Sequence, residues 1–381
     1  MDLRDTPEEA AFRSELRAWL DANLPDERRG GRGGAQRFDD SFGREWSRML
    51  HEAGYAGLTW PKEYGGAGAP YSFQAIFYEE MARAQAPPHV GVIGLGMAGP
   101  TIIAHGTDEQ KQAHLARILS AEEIWCQGFS EPDAGSDLAA ARTRAERRGD
   151  VYVVNGQKVW SSFAHIADFC ILVTRSDADA PRYRNLTYLI VDMRAPGVEV
   201  RPLRQITGEA EFNEIFFNNV EVPVSNRLGE EGDGWQVAMT TLLHERGTLG
   251  FALTATLEVS VDRLLDVARE NGNGEASRRE RVAAEWIDLQ ALRYTNYRAL
   301  GTLQRTGIPG PEGSAIKLRW SEQNQRLTKL ARELQGAEGI LDDGWWQHQQ
   351  LRSRGNTIEA GTSEVLRNIV AERVLGLPRS R

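Results

Sequence analysis

The sequence is poor in cysteine. Only Cys126 and Cys170 occur among 381 residues, which excludes a disulfide framework and fits a reducing compartment. These two isolated cysteines and the seven scattered histidines also lack the regular spacing of zinc ligands. We therefore expect no metal site.

Long apolar runs are missing as well. No segment approaches the roughly 18 uninterrupted apolar residues of a transmembrane helix, so we expect no membrane span. The first residues, MDLRDTPEEAAF, are acidic and have no apolar core of a secretory signal. This predicts a cytoplasmic protein.

Positive charge is in deficit. Lysine and arginine number 45 against 54 acidic residues, which gives a net charge of -9. Nucleic-acid binding requires a basic face, so this balance argues against it. An anionic substrate stays open, because one site needs only a few local cations. The hydrophobic content of 41% is ordinary for a globular chain of two or three domains.

What is present is a helix, strand and helix order, which predicts an α+β multidomain fold. Residues 1–122 predict an N-terminal α-helical domain, residues 123–229 a central antiparallel β-domain, and residues 230–381 a C-terminal α-helical domain. The first helix shows its start most clearly: Thr6 is a hydroxyl N-cap, and Glu9 follows three residues later.

The central region contains segments of strand length. VYVVNGQKVW, residues 151–160, has two β-prone runs around Asn155-Gly156, which predicts a hairpin turn there. Further strands are predicted in FCILVTRSD, LTYLIVDM, GVEVRPL and EFNEIFFNNVEVP. Beyond them, helical periodicity predicts long helices over about 235–271, 279–304 and 314–341, and a last helix from about Thr362.

GLGMAG, residues 94–99, matches the G-x-G-x-x-G pattern of a dinucleotide-binding turn. Such a turn requires a second strand that ends in an acidic residue about 20 residues further on. That region reads QKQAHLARIL, an amphipathic helix. We therefore predict that these glycines allow close helix packing.

WCQGFSEPDAGSD, residues 125–137, combines small residues and hydroxyls that suit the polar edge of a cofactor. Together with NGQKVWSS and EAGTSE, it makes the chain resemble the acyl-CoA dehydrogenase family. The resemblance extends over nearly the whole chain, from GLTWPKEYGGAG to NIVAERVLGLP. It implies FAD as cofactor, an acyl-CoA substrate, a barrel-like β-domain and a C-terminal four-helix bundle.

The resemblance also implies the contacts of both ligands. The residues implied to bind FAD are Trp125, Gln127, Phe129, Ser130, Gly135, Ser136, Trp160, Ser162, Thr362, Ser363 and Glu364. Those implied to bind the substrate are Ser136, His244, Arg246, Ala360 and Gly361. Trp160 keeps a second interpretation, that of an ordinary core aromatic of a strand.

The implied reaction is the α,β-dehydrogenation of an acyl-CoA thioester to its trans-2-enoyl-CoA. A carboxylate removes the α-proton, and the β-hydrogen leaves as hydride to flavin N5. The developing enolate needs positioned hydrogen-bond donors, and the resemblance implies the backbone N–H of Ala360 as one of them. In many family members the base directly precedes the Gly-Thr of this loop. Here that position is Ala360, and Glu359, one residue earlier, is expected to point to the opposite side.

Other family members, such as isovaleryl-CoA dehydrogenase, place the base on the long helix that opens the C-terminal domain. The matching segment here is LLHERGTLG, in which Glu245 holds the position of the base. Leu242 and Leu249 share its helix face, and apolar neighbours raise the pKa of a carboxyl group. We expect Glu245 to be the base. A solvated glutamate paired with a nearby arginine is the other interpretation.

The chain departs from the family at residues 268–281, ARENGNGEASRRER. Most members have Arg-x-x-Phe-Gly followed by a glutamine there, which reaches the FAD of a neighbouring subunit. Two assemblies stay open: a homo-oligomer, usually a tetramer in this family, and a heteromer in which a sister dehydrogenase subunit supplies that arm. The resemblance also implies an electron-transfer flavoprotein as acceptor.

The acyl group of the substrate stays open among straight, branched and sterol-derived chains, with a slight preference for a bulky one. This corresponds to β-oxidation of fatty acids or of sterol side chains. Two other functions are considered: different flavin chemistry on the same scaffold, of the monooxygenase or nitroalkane oxidase type, and a non-catalytic partner subunit with a degenerate flavin site.

Overall fold

The computed structural model describes residues 4–29, 40–271, 275–307, 309–341 and 344–379, and of residues 27, 40 and 245–249 the backbone alone. The described chain divides into two compact units. The helical unit takes its residues from Met1–Arg37, Ala69–Pro87 and Arg246–Arg381, and the sheet unit from Phe38–Gly68 and Pro88–Glu245. Helical N- and C-terminal parts with a β-sheet between them confirm the predicted fold class.

The α-helices lie before and after the sheet in the chain. They are α1 (Pro7–Asn23), α2 (Asp40–Glu52), α3 (Tyr71–Arg83), α4 (Gly99–His105), α5 (Asp108–Leu119), α6 (Gly234–Glu270), α7 (Ala276–Thr306), α8 (Glu312–Gln335), α9 (Trp345–Asn356) and α10 (Ser363–Ile369). Among the described residues, no helix has both the length and the apolar character required to cross a membrane.

The start of α1 confirms its sequence signature. The Thr6 hydroxyl accepts from the Glu9 amide at 3.2 Å, and the Glu9 carboxylate accepts from the Thr6 amide at 2.9 Å. This reciprocal pair satisfies two amides that lack helical partners. Leu16 and Leu20 of α1 are buried.

The C-terminal helices α6 to α9 share one apolar core within the helical unit, which includes Leu257, Leu292, Leu330 and Trp346. The three predicted long helices are confirmed, although α8 ends earlier than predicted. Gly336 follows it with φ of +63° and opens a tight turn over Gly336–Ile340. Helix α9 was not predicted.

The G-x-G-x-x-G segment forms one wide helical turn, Gly94–Ala98, that leads into α4. A Cβ at Gly99 would lie 2.1 Å from the Trp60 ring, and one at Gly94 would lie 3.0 Å from Ile118. Close packing therefore requires these two glycines, as predicted.

The strands form one sheet with the order β6-β7-β3-β2-β4-β5-β8, and β1 pairs with β4. They are β1 (Trp125–Gly128), β2 (Arg144–Arg148), β3 (Val151–Ser162), β4 (Phe169–Arg175), β5 (Leu186–Asp192), β6 (Val198–Leu203), β7 (Phe212–Pro223) and β8 (Arg227–Leu228). Most pairs are antiparallel, whereas β1 and β2 each pair with β4 in parallel. Cys126 and Cys170, both free and buried, lie opposite each other on β1 and β4.

The predicted hairpin at Asn155-Gly156 is wrong, because β3 runs through both residues as one strand. The turn lies earlier, at Gly149 with φ of +63°, where Arg148 pairs with Val151. Asn155 instead lies opposite a register shift in β7, where its side-chain oxygen accepts from the Asn219 amide at 2.9 Å. Gly156 is required because a Cβ there would lie 2.6 Å from the Thr143 hydroxyl.

Candidate functional site

The end of β3 carries an exposed tryptophan on a β-bulge. Lys158 pairs with Ile215 and Ser161 with Asn213, so that two residues of β3 lie opposite one residue of β7. Trp160, inside this bulge, has φ of +60° and is 59% exposed. A bulge re-aims a side chain. The interpretation of Trp160 as a core aromatic is therefore wrong.

The loop from Ser130 to Asp137 begins beside this bulge. The Val159 amide donates to the Ser130 carbonyl at 2.9 Å, which ties the loop to β3. Ser130 and Ser162 are half-buried, and Gly135 and Ser136 are exposed. The hydroxyls and the Trp160 ring therefore form an open face that can accept the polar edge and the ring of a cofactor.

The side chains of two residues predicted to bind the cofactor do not reach this face. The Trp125 ring is 1% exposed, stacks on Phe169 at 5.2 Å between ring centroids, and donates to the Glu123 carboxylate at 3.3 Å. The Phe129 ring is buried against Tyr188. Both rings therefore belong to the core, and a cofactor contact of Trp125 or Phe129 through its backbone stays a prediction. Gln127, half-buried on β1, stays a prediction.

Behind the open face lies a buried ion pair that the sequence interpretation missed. The Lys158 ammonium donates to the Glu131 carboxylate at 2.8 Å and to the Phe129 carbonyl at 3.1 Å. A signal was available: Lys158 has the same parity on β3 as Tyr152 and Val154, which face the core. The alternation of side chains along a strand therefore indicates that the Lys158 side chain points toward the core.

In the helical unit, the carboxylate of Glu359 is hydrogen-bonded by side chains close to it in the sequence. It accepts from the Arg352 guanidinium at 2.8 Å and from the Asn356 amide at 2.7 Å, both on α9. These bonds engage both carboxylate oxygens and hold them toward α9. This arrangement fits the expectation that Glu359 is not the base.

The residues after Glu359 form the start of α10. Ala360 and Gly361 have φ of +50° and +98°, and the Lys317 ammonium donates to the Gly361 carbonyl at 2.8 Å. Thr362 is the N-cap and accepts from the Val365 amide at 3.2 Å. The Ser363 hydroxyl is buried and has no hydrogen-bond partner among the described residues. A buried hydroxyl without a partner fits a polar cofactor such as FAD. Glu364 is exposed.

The predicted base lies on α6, where only the backbone of residues 245–249 is described. The side chains of Glu245 and Arg246 therefore lie outside the described residues. Their neighbour His244 is half-buried, and burial, followed by the nearby His105, lowers the pKa of its imidazole. His244 is therefore neutral near pH 7. Leu242 packs against the apolar core of the sheet unit.

Among the small residues of α6, Gly250 lies at a position whose surroundings are described. A Cβ at Gly250 would lie 2.9 Å from the Asn296 side-chain oxygen and 3.1 Å from Ile316. Gly250 therefore allows close helix packing and does not widen a pocket.

Comparisons with known proteins match the chain along most of its length. Family models described as the N-terminal, middle and C-terminal domains of acyl-CoA dehydrogenase match residues 6–122, 126–220 and 232–375. Acyl-CoA dehydrogenase IpdE1 of Mycobacterium tuberculosis is 43% identical over 97% of this chain and 97% of its own. Acyl-CoA dehydrogenase FadE29 of the same organism is 34% identical over 98% of both chains.

Solved structures show the same similarity. A chain of the Tcur3481-Tcur3483 steroid ACAD matches with a TM-score of 0.89 and 33% identity over 100% of both chains. A chain of the ChsE4-ChsE5 complex from Mycobacterium tuberculosis matches with a TM-score of 0.87 and 32% identity, also over 100% of both chains.

Proposed function

We propose a specific reaction on one premise: this chain belongs to the acyl-CoA dehydrogenase family and is an FAD-dependent enzyme that dehydrogenates an acyl-CoA. The observation that supports it best is the exposed Trp160 on its bulge, next to Ser130. A ring of this size exposed at a strained backbone position is expected at a binding site rather than on an idle surface.

The proposed FAD contacts fall into two sets of residues. In the sheet unit, Trp160, Ser130 and Ser162 contact the flavin ring, with Gln127 and Gly135 near it. In the helical unit, Thr362, Ser363 and Glu364 contact the cofactor again. The buried Ser363 hydroxyl without a partner supports this second contact.

Glu245 is the proposed base that removes the α-proton of the thioester. When bound, FAD supplies the acceptor of the β-hydrogen, which leaves as hydride to N5, and the product is the trans-2-enoyl-CoA. The Ala360 N–H donates to the thioester carbonyl and stabilises the charge that develops there. Ser136, His244, Arg246 and Gly361 complete the proposed substrate contacts.

Two matched variants test the assignment of the base. Glu245→Gln is expected to keep FAD and to reduce anaerobic bleaching of the flavin band by the substrate about 10²- to 10⁴-fold, the usual contribution of a positioned base. Glu359→Gln is expected to stay within a few-fold of wild type, since its carboxylate already binds Arg352 and Asn356. Normal bleaching in Glu245→Gln together with an inactive Glu359→Gln would reverse the assignment.

We further propose a bulky, polycyclic acyl group as substrate. The support is the similarity to a solved structure, the Tcur3481-Tcur3483 steroid ACAD. Comparison of kcat/KM for a steroid side-chain acyl-CoA and for straight-chain acyl-CoA esters tests this. Higher kcat/KM for the straight chains contradicts it.

The proposed assembly is a heteromer in which a second dehydrogenase chain completes the FAD site. Part of the divergent segment, residues 272–274, lies outside the described residues. The support comes from the missing Phe-Gly arm and from two similar solved structures that are each named for two components, the Tcur3481-Tcur3483 steroid ACAD and the ChsE4-ChsE5 complex. The test is the FAD-to-chain ratio and solution mass after purification alone and after co-expression with a candidate sister chain. A homo-oligomer with one FAD per chain contradicts the heteromer. An electron-transfer flavoprotein as acceptor and a cytoplasmic location stay predictions.

A further inference from the structure

We propose that Lys158, Glu131 and Asn213 are positioning residues for the flavin. They flank the bulge of β3 and hold Trp160 and Ser130 side by side on the open face. This inference rests on the proposed function, because it assumes that Trp160 and Ser130 contact the flavin ring.

The first anchor lies immediately before the bulge. Lys158 is fully buried, and its ammonium group donates to the Phe129 carbonyl at 3.1 Å and to the Glu131 carboxylate at 2.8 Å. These two acceptors belong to the residues on either side of Ser130. One lysine therefore fixes the position of Ser130 relative to the strand that carries Trp160.

Glu131 extends this anchor to the segment that leads into β2. Its carboxylate also accepts from the backbone amides of Arg142 at 2.6 Å and Thr143 at 2.9 Å. Burial alone raises the pKa of Glu131, but Lys158 and the two amides outweigh it, and the pKa is lowered. The carboxylate therefore stays charged at neutral pH.

The second anchor lies immediately after the bulge. Asn213 is fully buried on β7, and its side-chain amide donates to the carbonyls of Ser161 and Glu211, each at 3.1 Å. The same amide nitrogen lies 3.2 Å from His165 Nδ1. Asn213 therefore fixes the chain directly after Trp160.

Orientation, rather than stability, is the property that this arrangement serves. A left-handed backbone conformation is unfavourable for a non-glycine residue such as Trp160, so the neighbouring structure must impose it. A buried ion pair adds little stability over apolar side chains of similar volume. What it adds here is a fixed distance between the loop and the bulge.

The test uses variants of the full-length protein, together with its partner chain if the holoenzyme requires one. The Lys158→Met/Glu131→Gln double variant leaves no unpaired buried charge, so it is expected to fold. We expect its Kd for FAD to rise about tenfold or more, and the fine structure of the bound flavin band to broaden as the ring environment becomes heterogeneous. Asn213→Ala is expected to change both readouts in the same direction.

Tyr152→Phe is the matched control on the same strand. It removes a hydroxyl that donates to Glu231 at 2.9 Å, near the other end of β3. We expect a lower thermal midpoint with unchanged FAD affinity and an unchanged flavin spectrum. An equal loss of FAD affinity in Tyr152→Phe and the double variant would mean that general destabilisation is responsible, which overturns the proposal.

The remaining outcomes separate the two levels of inference. Trp160→Leu reports whether Trp160 contacts the flavin at all: if it leaves the spectrum and Kd unchanged, the proposed flavin face itself is wrong. If Trp160→Leu changes them while the folded double variant binds FAD like wild type, only the positioning role is wrong. Should the double variant fail to fold, Asn213→Ala decides by the same criteria.

Discussion

Trp160 in the sheet unit and Ala360 in the helical unit are both non-glycine residues with positive φ, +60° and +50°, in segments predicted to bind ligands. They are stabilised differently. The anchors around Trp160 are buried, with Lys158 and Glu131 only 0% and 6% exposed. The ion pair before Ala360 joins Arg352 and Glu359, which are 28% and 30% exposed.

This difference suggests different tasks. Buried anchors resist displacement because their loss leaves a charge or a polar group without water. A half-exposed ion pair exchanges with solvent at little cost. In the proposed reaction, the sheet unit would present a fixed surface to the bound cofactor, whereas the loop at Ala360 would adjust to a substrate that enters and leaves.

The largest effect is expected for Lys158→Met. It leaves the Glu131 carboxylate buried without its cation, which costs about 3–5 kcal/mol of the free energy of unfolding. Urea unfolding measures it, with Lys329→Met as control, because Lys329 is 66% exposed and its nearest acid is 3.9 Å away. A loss below about 1 kcal/mol would mean that solvent reaches the pair.

Asn213→Ala is expected to have the second-largest effect. The buried Ser161 residue loses a donor to its carbonyl, and the Glu211 carbonyl keeps only the Phe163 amide, which costs about 1–3 kcal/mol of the free energy of unfolding. The same unfolding experiment measures it. A change of only a few tenths would indicate that water replaces the amide.

Arg352→Met is expected to lower the free energy of unfolding by about 1 kcal/mol or less, because the Arg352–Glu359 pair is half-exposed. Glu359 also keeps its hydrogen bond to Asn356. The variant should also leave the spectrum of bound flavin unchanged. A loss as large as that of Lys158→Met would remove the distinction between the two regions.

The last expected effect is on stability in acid, and it is the smallest of the four at neutral pH. The pKa of Glu131 is lowered in the folded state, so its contribution is fully present above its unfolded pKa of about 4.3 and is lost as pH falls through the folded value. Below about pH 4, wild type should therefore lose unfolding free energy more steeply than the Lys158→Met/Glu131→Gln variant. Parallel acid limbs in urea unfolding would show that the pair is not linked to stability.

Local signals predicted the elements well. The Thr6–Glu9 capping box, the strand β4 and the long helices α6 and α7 follow from patterns that neighbours in the chain specify. Asn155-Gly156 was misread because a turn signal is also compatible with a bulged pair. Partner strand β7, distant in sequence, decided between the two.

The site residues divide in the same way. The motifs around Ser130, Trp160 and Thr362 identified the segments, and the parity of Lys158 contained its inward direction. The burial of Trp125 and Phe129 was not readable, because it depends on the parallel pairing of β1 with β4.

The family, the α+β order of elements and the segments predicted to bind ligands followed from the sequence, because motifs, caps and periodicity are local properties. Which side chains of those segments face outward depended on the tertiary structure. It exposes Trp160 on a bulge, buries the Lys158–Glu131 ion pair behind this bulge, and pairs Glu359 with Arg352. The reason is physical: strand register and buried pairing depend on contacts between residues far apart in the chain.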